Sequence, residues 1–130
     1  MDRLERIVVV GASLAGLRAV ESLRRLGFGG EIVLAGAEKH LPYDRPPLSK
    51  ETLAGRWDAD RVPLRKQPFA DLRLDLRLGL RATALDVAAR TVAFDDGRRE
   101  RYDALVIATG SAARRLPGQP DLAGVHLLRT

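Results

Sequence analysis

Four consecutive β-branched residues, Ile7-Val8-Val9-Val10, stopped by Gly11 and followed by Gly16, constrain this chain more than anything else in it. An uninterrupted run of this kind reads as a strand covered on both faces, the position of an inner strand in a parallel sheet. A parallel neighbour cannot be reached by a tight turn and needs a crossover, usually a helix. The next residues supply one. From Leu14 the apolar period lengthens, so that Leu17, Val20 and Leu23 share one face and Arg18, Glu21 and Arg25 another. Glu21 and Arg25 stand in the favourable i,i+4 order, and Gly27 offers a C-terminal stop. Gly29-Gly30 then turns the chain into a second strand, Glu31–Ala35. Strand, glycine turn, three-turn helix and strand make a βαβ unit.

The mouth of such a unit is a candidate binding site. A helix N-terminus presents unpaired N–H groups and about half a positive charge, which suits a pyrophosphate. The dinucleotide pattern wants Gly first for the tight turn, Gly second for close approach, and a small third residue for helix–strand packing. Gly11 and Gly16 meet the first and third demands, whereas Ser13 takes the middle place, where its side chain intrudes but its hydroxyl offers a hydrogen bond. An acidic residue about twenty positions further on is expected to hold the adenosine ribose. Glu38 lies 22 residues past Gly16. Two readings stay open at this point: a nucleotide grip, or a glycine turn that binds nothing beside an ordinary loop carboxylate.

Beyond Gly36 runs Leu41-Pro-Tyr-Asp-Arg-Pro-Pro-Leu-Ser-Lys50, whose adjacent prolines fix φ and bias their predecessors toward extended backbone. An ordered loop is expected here, able to hold two cations, Arg45 and Lys50, in place. Leu48–Leu53 suits one helical turn, and Gln67–Leu72 the start of another helix limited by Pro63 and Pro68. Strict alternation makes Arg73–Leu78 a strand. Arg81–Val87, Thr91–Asp95 and Arg99–Tyr102 follow as short strands, the last two joined by a turn at Asp95-Asp-Gly97. Ala104–Ala108 is a further buried-strand run ending at Thr109-Gly110, and Val125–Leu128 a weak final strand.

Composition removes several function classes. A 130-residue chain with 45% hydrophobic residues is of single-domain size and is not disordered. No apolar run approaches the ~20 residues of a membrane helix. Met1–Arg6 mixes acids with bases and no hydrophobic stretch follows, so no signal peptide is expected and the cytoplasm is the default compartment. Without cysteine there is no disulfide, thiol or cysteine–zinc chemistry in these residues. His40 and His126 are isolated, so no metal site is expected, and Ser49 and Ser111 lack a nucleophile-elbow context. The net charge of +5 is spread along the chain rather than gathered on one stripe, which argues against nucleic acid and suits an acidic protein partner at least as well.

Taken together, Ile7–Gly16, Gly30–Glu38, the proline loop to Lys50, Asp96-Gly97, Tyr102–Gly110 and Leu127-Leu-Arg-Thr130 resemble the N-terminal FAD domain of ferredoxin reductases of the putidaredoxin and rubredoxin reductase type. The resemblance runs along essentially all 130 residues, and the proline loop and Ala-Thr-Gly segment are its most specific parts. It implies an α/β fold: a Rossmann-like FAD-binding parallel sheet interrupted by a three-stranded antiparallel meander. It implies FAD as cofactor, NAD(P)H as electron donor and a ferredoxin-type iron–sulfur protein as acceptor. It places Leu14 and Ala15 at the pyrophosphate, Ala37 and Glu38 at the adenosine ribose, and Ala82 toward the adenine. Arg45 and Lys50 would lie toward pyrophosphate and flavin, Thr109 and Gly110 close to the cofactor, and Arg129 on the flavin side. A cation such as Lys50 near the flavin would favour its reduced, anionic ring. No residue is assigned a catalytic role.

Three features depart from the family pattern. Ser13 replaces glycine, Ala37 stands where the family often has Asp, and no second Gly-rich βα turn occurs between Leu17 and Thr130. Residues 1–130 are therefore expected to be one FAD-binding portion, without the NAD(P)H domain, second FAD segment and C-terminal domain of the family, and incomplete for turnover alone. Two alternatives are a stand-alone FAD- or NAD-binding module without catalysis, and a truncated product without function. If the Ser13 side chain crowds the phosphate, Ser13→Gly tightens FAD binding in a flavin titration. Unchanged or weaker affinity contradicts the steric argument.

Overall fold

The structure, a computed structural model, describes residues 4–130; Met1–Arg3, half of the segment read as lacking a signal sequence, lie outside the described residues. Strand β1 (Arg6–Val10) is the axis of the fold. It pairs in parallel with β2 (Glu31–Gly36) on one side and with β7 (Ala104–Ile107) on the other. Strand β3 (Asp75–Leu78) adds in parallel to β2, giving the order β3-β2-β1-β7. A second sheet is the antiparallel meander of β4 (Ala82–Asp86), β5 (Thr91–Phe94) and β6 (Arg99–Arg101).

The β-branched run of β1 is buried because both faces of its sheet are covered. Successive side chains point to opposite faces. Ile7 and Val9, with Ile32 and Leu34 of β2, meet Leu17 and Val20 of helix α1 (Leu14–Arg25). Val8 and Val10, with Val33 and Ala35, meet Val92 and Phe94 of the meander and Leu80. The molecule thus has three layers: helix, parallel sheet, meander.

Charged side chains tie the layers where apolar contact ends. Glu100 of β6 receives the guanidinium groups of Arg6 on β1 and Arg77 on β3, joining meander to parallel sheet. Asp103 accepts the backbone N–H groups of Glu5 and Arg6 at 2.8 and 2.7 Å, fastening the start of β7 to the start of β1. These two backbone donors hold its carboxyl below the usual range.

The α/β class, the parallel sheet and the meander agree with the sequence reading, and local differences have physical causes. The strand expected from Arg73 begins at Asp75, because Arg73 sits at φ +46° as the exit of a 3₁₀ turn, Phe69–Leu72, which is all that forms of the helix expected after Gln67. Arg45, expected extended before proline, is helical at φ −84°, ψ −35°. Pro46 and Pro47 head a 3₁₀ turn to Ser49, where a missing N–H costs nothing, and Leu48 N–H closes onto Arg45 C=O at 3.0 Å. The turn expected over Leu48–Leu53 thus starts earlier, at Pro46. Glu21 pairs with Arg18 at 2.6 Å and Arg65 at 3.0 Å instead of Arg25, which donates to Ser22 Oγ. Val125–Leu128 is not a strand: among the described residues it has no ladder partner, and its apolar side chains remain exposed.

Arg24 shows how a polar side chain ends the helix. Its guanidinium donates to the carbonyls of Leu72, Phe28, Gly30 and Arg73 at 2.6–2.9 Å, stitching the C-terminal turn of α1 to the approaches of β2 and β3. Replacing it leaves several part-buried carbonyls unpaired, at roughly 1–3 kcal/mol for such a loss. Arg24→Ala is expected to lower the urea unfolding free energy by about 2 kcal/mol, with Arg24→Lys recovering only part. A change below about 0.5 kcal/mol, the scale of a plain surface substitution, contradicts this.

Candidate functional site

The carboxyl ends of β1, β2 and β7 converge at one edge of the parallel sheet, the place where open α/β sheets bind ligands. The turn after β1 decides what that edge can hold. Gly11 has φ +116°, and its N–H donates to Ala35 C=O at 2.7 Å. A Cβ on Gly11 would stand 2.0 Å from Ala108 O, and one on Gly16 only 1.8 Å from Gly11 O. Backbone therefore lies against backbone at both positions, and α1 starts directly on the end of β1.

The amides of the first helical turn are left facing outward. The first intrahelical bond, Leu17 N–H to Ser13 C=O at 2.9 Å, begins only after them. Ser13 is the N-cap in extended geometry, its hydroxyl makes no capping bond, and the first turn carries no acidic side chain. The positive end of the helix dipole is thus uncompensated within its own helix.

It opens into a cleft of about 440 Å³, a common size for small-molecule sites. Of the residues expected at the site, Gly11, Ser13, Leu14, Ala15, Ala37, Glu38, Arg45, Ala82, Thr109, Gly110 and Arg129 line this cleft. Gly16 does not; it is buried under the Gly11 carbonyl and acts by packing. Lys50 is exposed at the far end of the 3₁₀ turn and is not among the residues that wall the cleft, whereas Arg45 is.

Opposite the helix, Glu38, Tyr43 and Arg45 form a closed network. The Tyr43 hydroxyl donates to Glu38 Oε2 at 2.6 Å and accepts from Arg45 Nη1 at 3.0 Å, while Arg45 Nη2 donates to Glu38 Oε1. Arg45 Nη1 also reaches the Arg129 carbonyl at 3.0 Å, and Arg129 Nε holds the Ser111 carbonyl at 2.8 Å. Burial works against the Glu38 charge, but the Tyr43 and Arg45 hydrogen bonds outweigh it and hold the carboxyl below its ordinary range. Burial and the bond to Glu38 push the Tyr43 phenol up.

Tyr43, Asp44 and Arg81 also line the cleft without having been expected there. Tyr43 and Asp44 lie inside the proline loop, so the loop pointed to them as a group. Arg81 follows from the short return into β4, where Gly79 N–H bonds Glu38 C=O and Leu80 N–H bonds Gly36 C=O.

The donor set fits an elongated dinucleotide. Arg45 Nε is buried without a partner, the helix amides are open, and Gly11 and Gly36 line the cleft without side chains, each where an added Cβ would collide with its neighbour, Ala108 O or Ala12 Cβ. Arg45, Arg81 and Arg129 against Glu38 and Asp44 leave one net positive charge, before the helix end is added, for a dianionic pyrophosphate. Glu38 stands apart as an ionised acceptor suited to ribose hydroxyls.

Comparison with known proteins places the chain in a family. Residues 5–130 match the profile of the pyridine nucleotide-disulphide oxidoreductases. The chain is 44% identical over 126 residues to the ferredoxin reductase component of a chlorobenzene dioxygenase from Cupriavidus sp. (strain PS12), covering 95% of this chain and 30% of that one. It is 42% identical over 127 residues to the ferredoxin–NAD(+) reductase component of the biphenyl dioxygenase system of Paraburkholderia xenovorans (strain LB400), covering 97% and 31%. Among solved structures it resembles the covalent putidaredoxin reductase–putidaredoxin complex, with TM-score 0.83, 38% identity, and coverage of 89% of this chain and 28% of that one. The chain spans about 30% of the length of the curated relatives it matches.

The closeness of backbone at the glycine turn gives a direct test. Gly11→Ala forces both a disfavoured φ and a backbone collision, each a strain of order 1–3 kcal/mol or more. It is expected to destabilise the chain by about 3 kcal/mol or more in urea unfolding. A near-neutral result shows that the turn is not held as described.

Proposed function

This chain belongs to the pyridine nucleotide-disulphide oxidoreductase family, and on that premise we propose that residues 1–130 are the FAD-binding portion of an NAD(P)H-dependent flavoprotein oxidoreductase serving a ferredoxin-type iron–sulfur protein. The observation that carries the reading is the convergence on one cleft of an uncompensated helix N-terminus, a buried unpartnered Arg45 Nε and an ionised Glu38.

Bound FAD would supply the redox chemistry, accepting a hydride and releasing single electrons. The chain's own residues hold and orient it. The amides of Leu14 and Ala15 receive the pyrophosphate, and the Arg45 guanidinium, lining the same cleft, adds positive charge near it. Glu38 accepts hydrogen bonds from the adenosine ribose, with Ala37 beside it and Ala82 toward the adenine. Thr109, Gly110 and Arg129 stand toward the flavin. Gly16 supports the site by packing, and Lys50, at the exposed end of the proline loop, is assigned toward the flavin.

The relatives support the acceptor: they are ferredoxin reductase components of dioxygenase systems and a reductase joined to putidaredoxin. These 130 residues contain no cysteine, so no disulfide within them can take the electrons. Since the one Gly-rich βα turn is given to FAD, the nicotinamide donor is assigned to the length that the relatives carry beyond this portion. No helix among the described residues is long and apolar enough to cross a membrane. The cytoplasm, which holds the NAD(P)H pool, is the compartment this reading assigns.

The purified chain equilibrated with FAD is expected to bind one equivalent, read as quenching of flavin fluorescence, and to release intact FAD on acid treatment, identified by chromatography. Folded protein that stays colourless in excess FAD, or that takes NAD in preference, contradicts the proposal.

A further inference from the structure

Tyr43 has no place in the dinucleotide pattern, yet its hydroxyl stands at the centre of the Glu38 network. We propose that Tyr43 is a positioning residue: held by Arg45, its phenol fixes the Glu38 carboxylate so that each oxygen keeps a lone pair for the vicinal hydroxyls of an adenosine ribose. The inference rests on the nucleotide reading of the cleft.

A carboxylate offers about four acceptor sites on two oxygens. Tyr43 Oη–H takes one on Oε2, and Arg45 Nη2 one on Oε1. One site on each oxygen therefore remains, matching the two adjacent hydroxyls of a ribose. Without the phenol, Arg45 alone would hold one oxygen and the carboxylate could swing about that contact.

The phenol is suited to this task because its own backbone is fixed. Tyr43 bridges to Pro63, Asp44 N–H bonds Val62 C=O at 2.7 Å, and Leu64 N–H bonds Pro42 C=O at 3.1 Å. The Arg45 guanidinium lies over the Tyr43 ring, 5.1 Å from its centroid. With its acidity suppressed by burial and by Glu38, the hydroxyl keeps its proton and acts as donor to the ionised carboxylate. The charged or titratable groups that act on Glu38 are Arg45, Tyr43 and the neighbouring His40.

Tyr43→Phe removes only the hydroxyl. Carbon-detected titration of Glu38 in the ligand-free chain reads the positioning bond without cofactor, and the Glu38 pKa is expected to rise in the variant. Affinities for FAD and for ADP, which carry the adenosine ribose, are expected to fall roughly three- to tenfold, the net scale of one ordinary hydrogen bond. Affinity for FMN, which lacks that ribose, stays within about twofold, the scale of a change at a site that makes no contact. In a Glu38→Gln background the Tyr43→Phe penalty largely disappears. An unmoved Glu38 titration overturns the positioning role with the nucleotide reading intact. Equal losses for FAD and FMN, or a full penalty in the Glu38→Gln background, overturn it too. If the unsubstituted chain binds neither FAD nor ADP, the nucleotide reading falls and the ribose role with it.

Discussion

The contact of Gly16 with the Gly11 carbonyl is the constraint on which the rest of the molecule depends. A single added methyl carbon at Gly16 would lie 1.8 Å from that oxygen, so helix and strand meet backbone to backbone. This closeness sets the helix axis against β1 and brings Leu17 and Val20 down onto Ile7, Val9, Ile32 and Leu34. It also aims the open end of α1 across the carboxyl edge of the sheet, between β2 and the Ala108–Gly110 segment that follows β7. Packing and binding therefore share one cause. A wider separation would weaken the core on one side and withdraw the amides on the other.

The second layer of the fold works by a different device. The meander covers Val8, Val10, Val33 and Ala35 with Val92, Phe94 and Leu80, a modest apolar face. Glu100, mostly buried, collects Arg6 on one oxygen and Arg77 on the other, from two strands of the parallel sheet. A buried charge without partners would cost several kcal/mol, so these pairs fix the meander's orientation more than they add net stability. The order of the layers matters for the site, since Leu80 and Arg81, in the link from β3 to the meander, and Ala82, the first residue of β4, wall the cleft.

Much of this was legible in the residues, and what was not has definite reasons. The β-branched run 7–10, the lengthened period of α1 and the Asp-Asp-Gly turn speak through local periodicity and turn chemistry, which the sequence carries directly. Val125–Leu128 has the composition of a strand, but strand formation needs an edge to pair with, and none of the described strands receives it. Arg45 departs from the extended backbone because the effect of a following proline is a bias, which the 3₁₀ turn closing on the Arg45 carbonyl overrides. Glu21 left Arg25 for Arg65, a partner 44 positions away that no local spacing reveals. Tyr43 carried no signal of its own; only the three-dimensional closure of Glu38, Tyr43 and Arg45 exposes its role.

The account stands on the claim that the open amides at the start of α1 grip a pyrophosphate. Amide-resolved NMR of the ¹⁵N-labelled chain, titrated with ADP, tests it most directly. The largest shifts are expected at Gly11, Leu14 and Ala15, with smaller ones at Ala37, Glu38 and Ala82. Shifts confined to His40, Leu48 and Val62, which line a second cavity behind the proline loop, or a spectrum that does not change at saturating ADP, would contradict it.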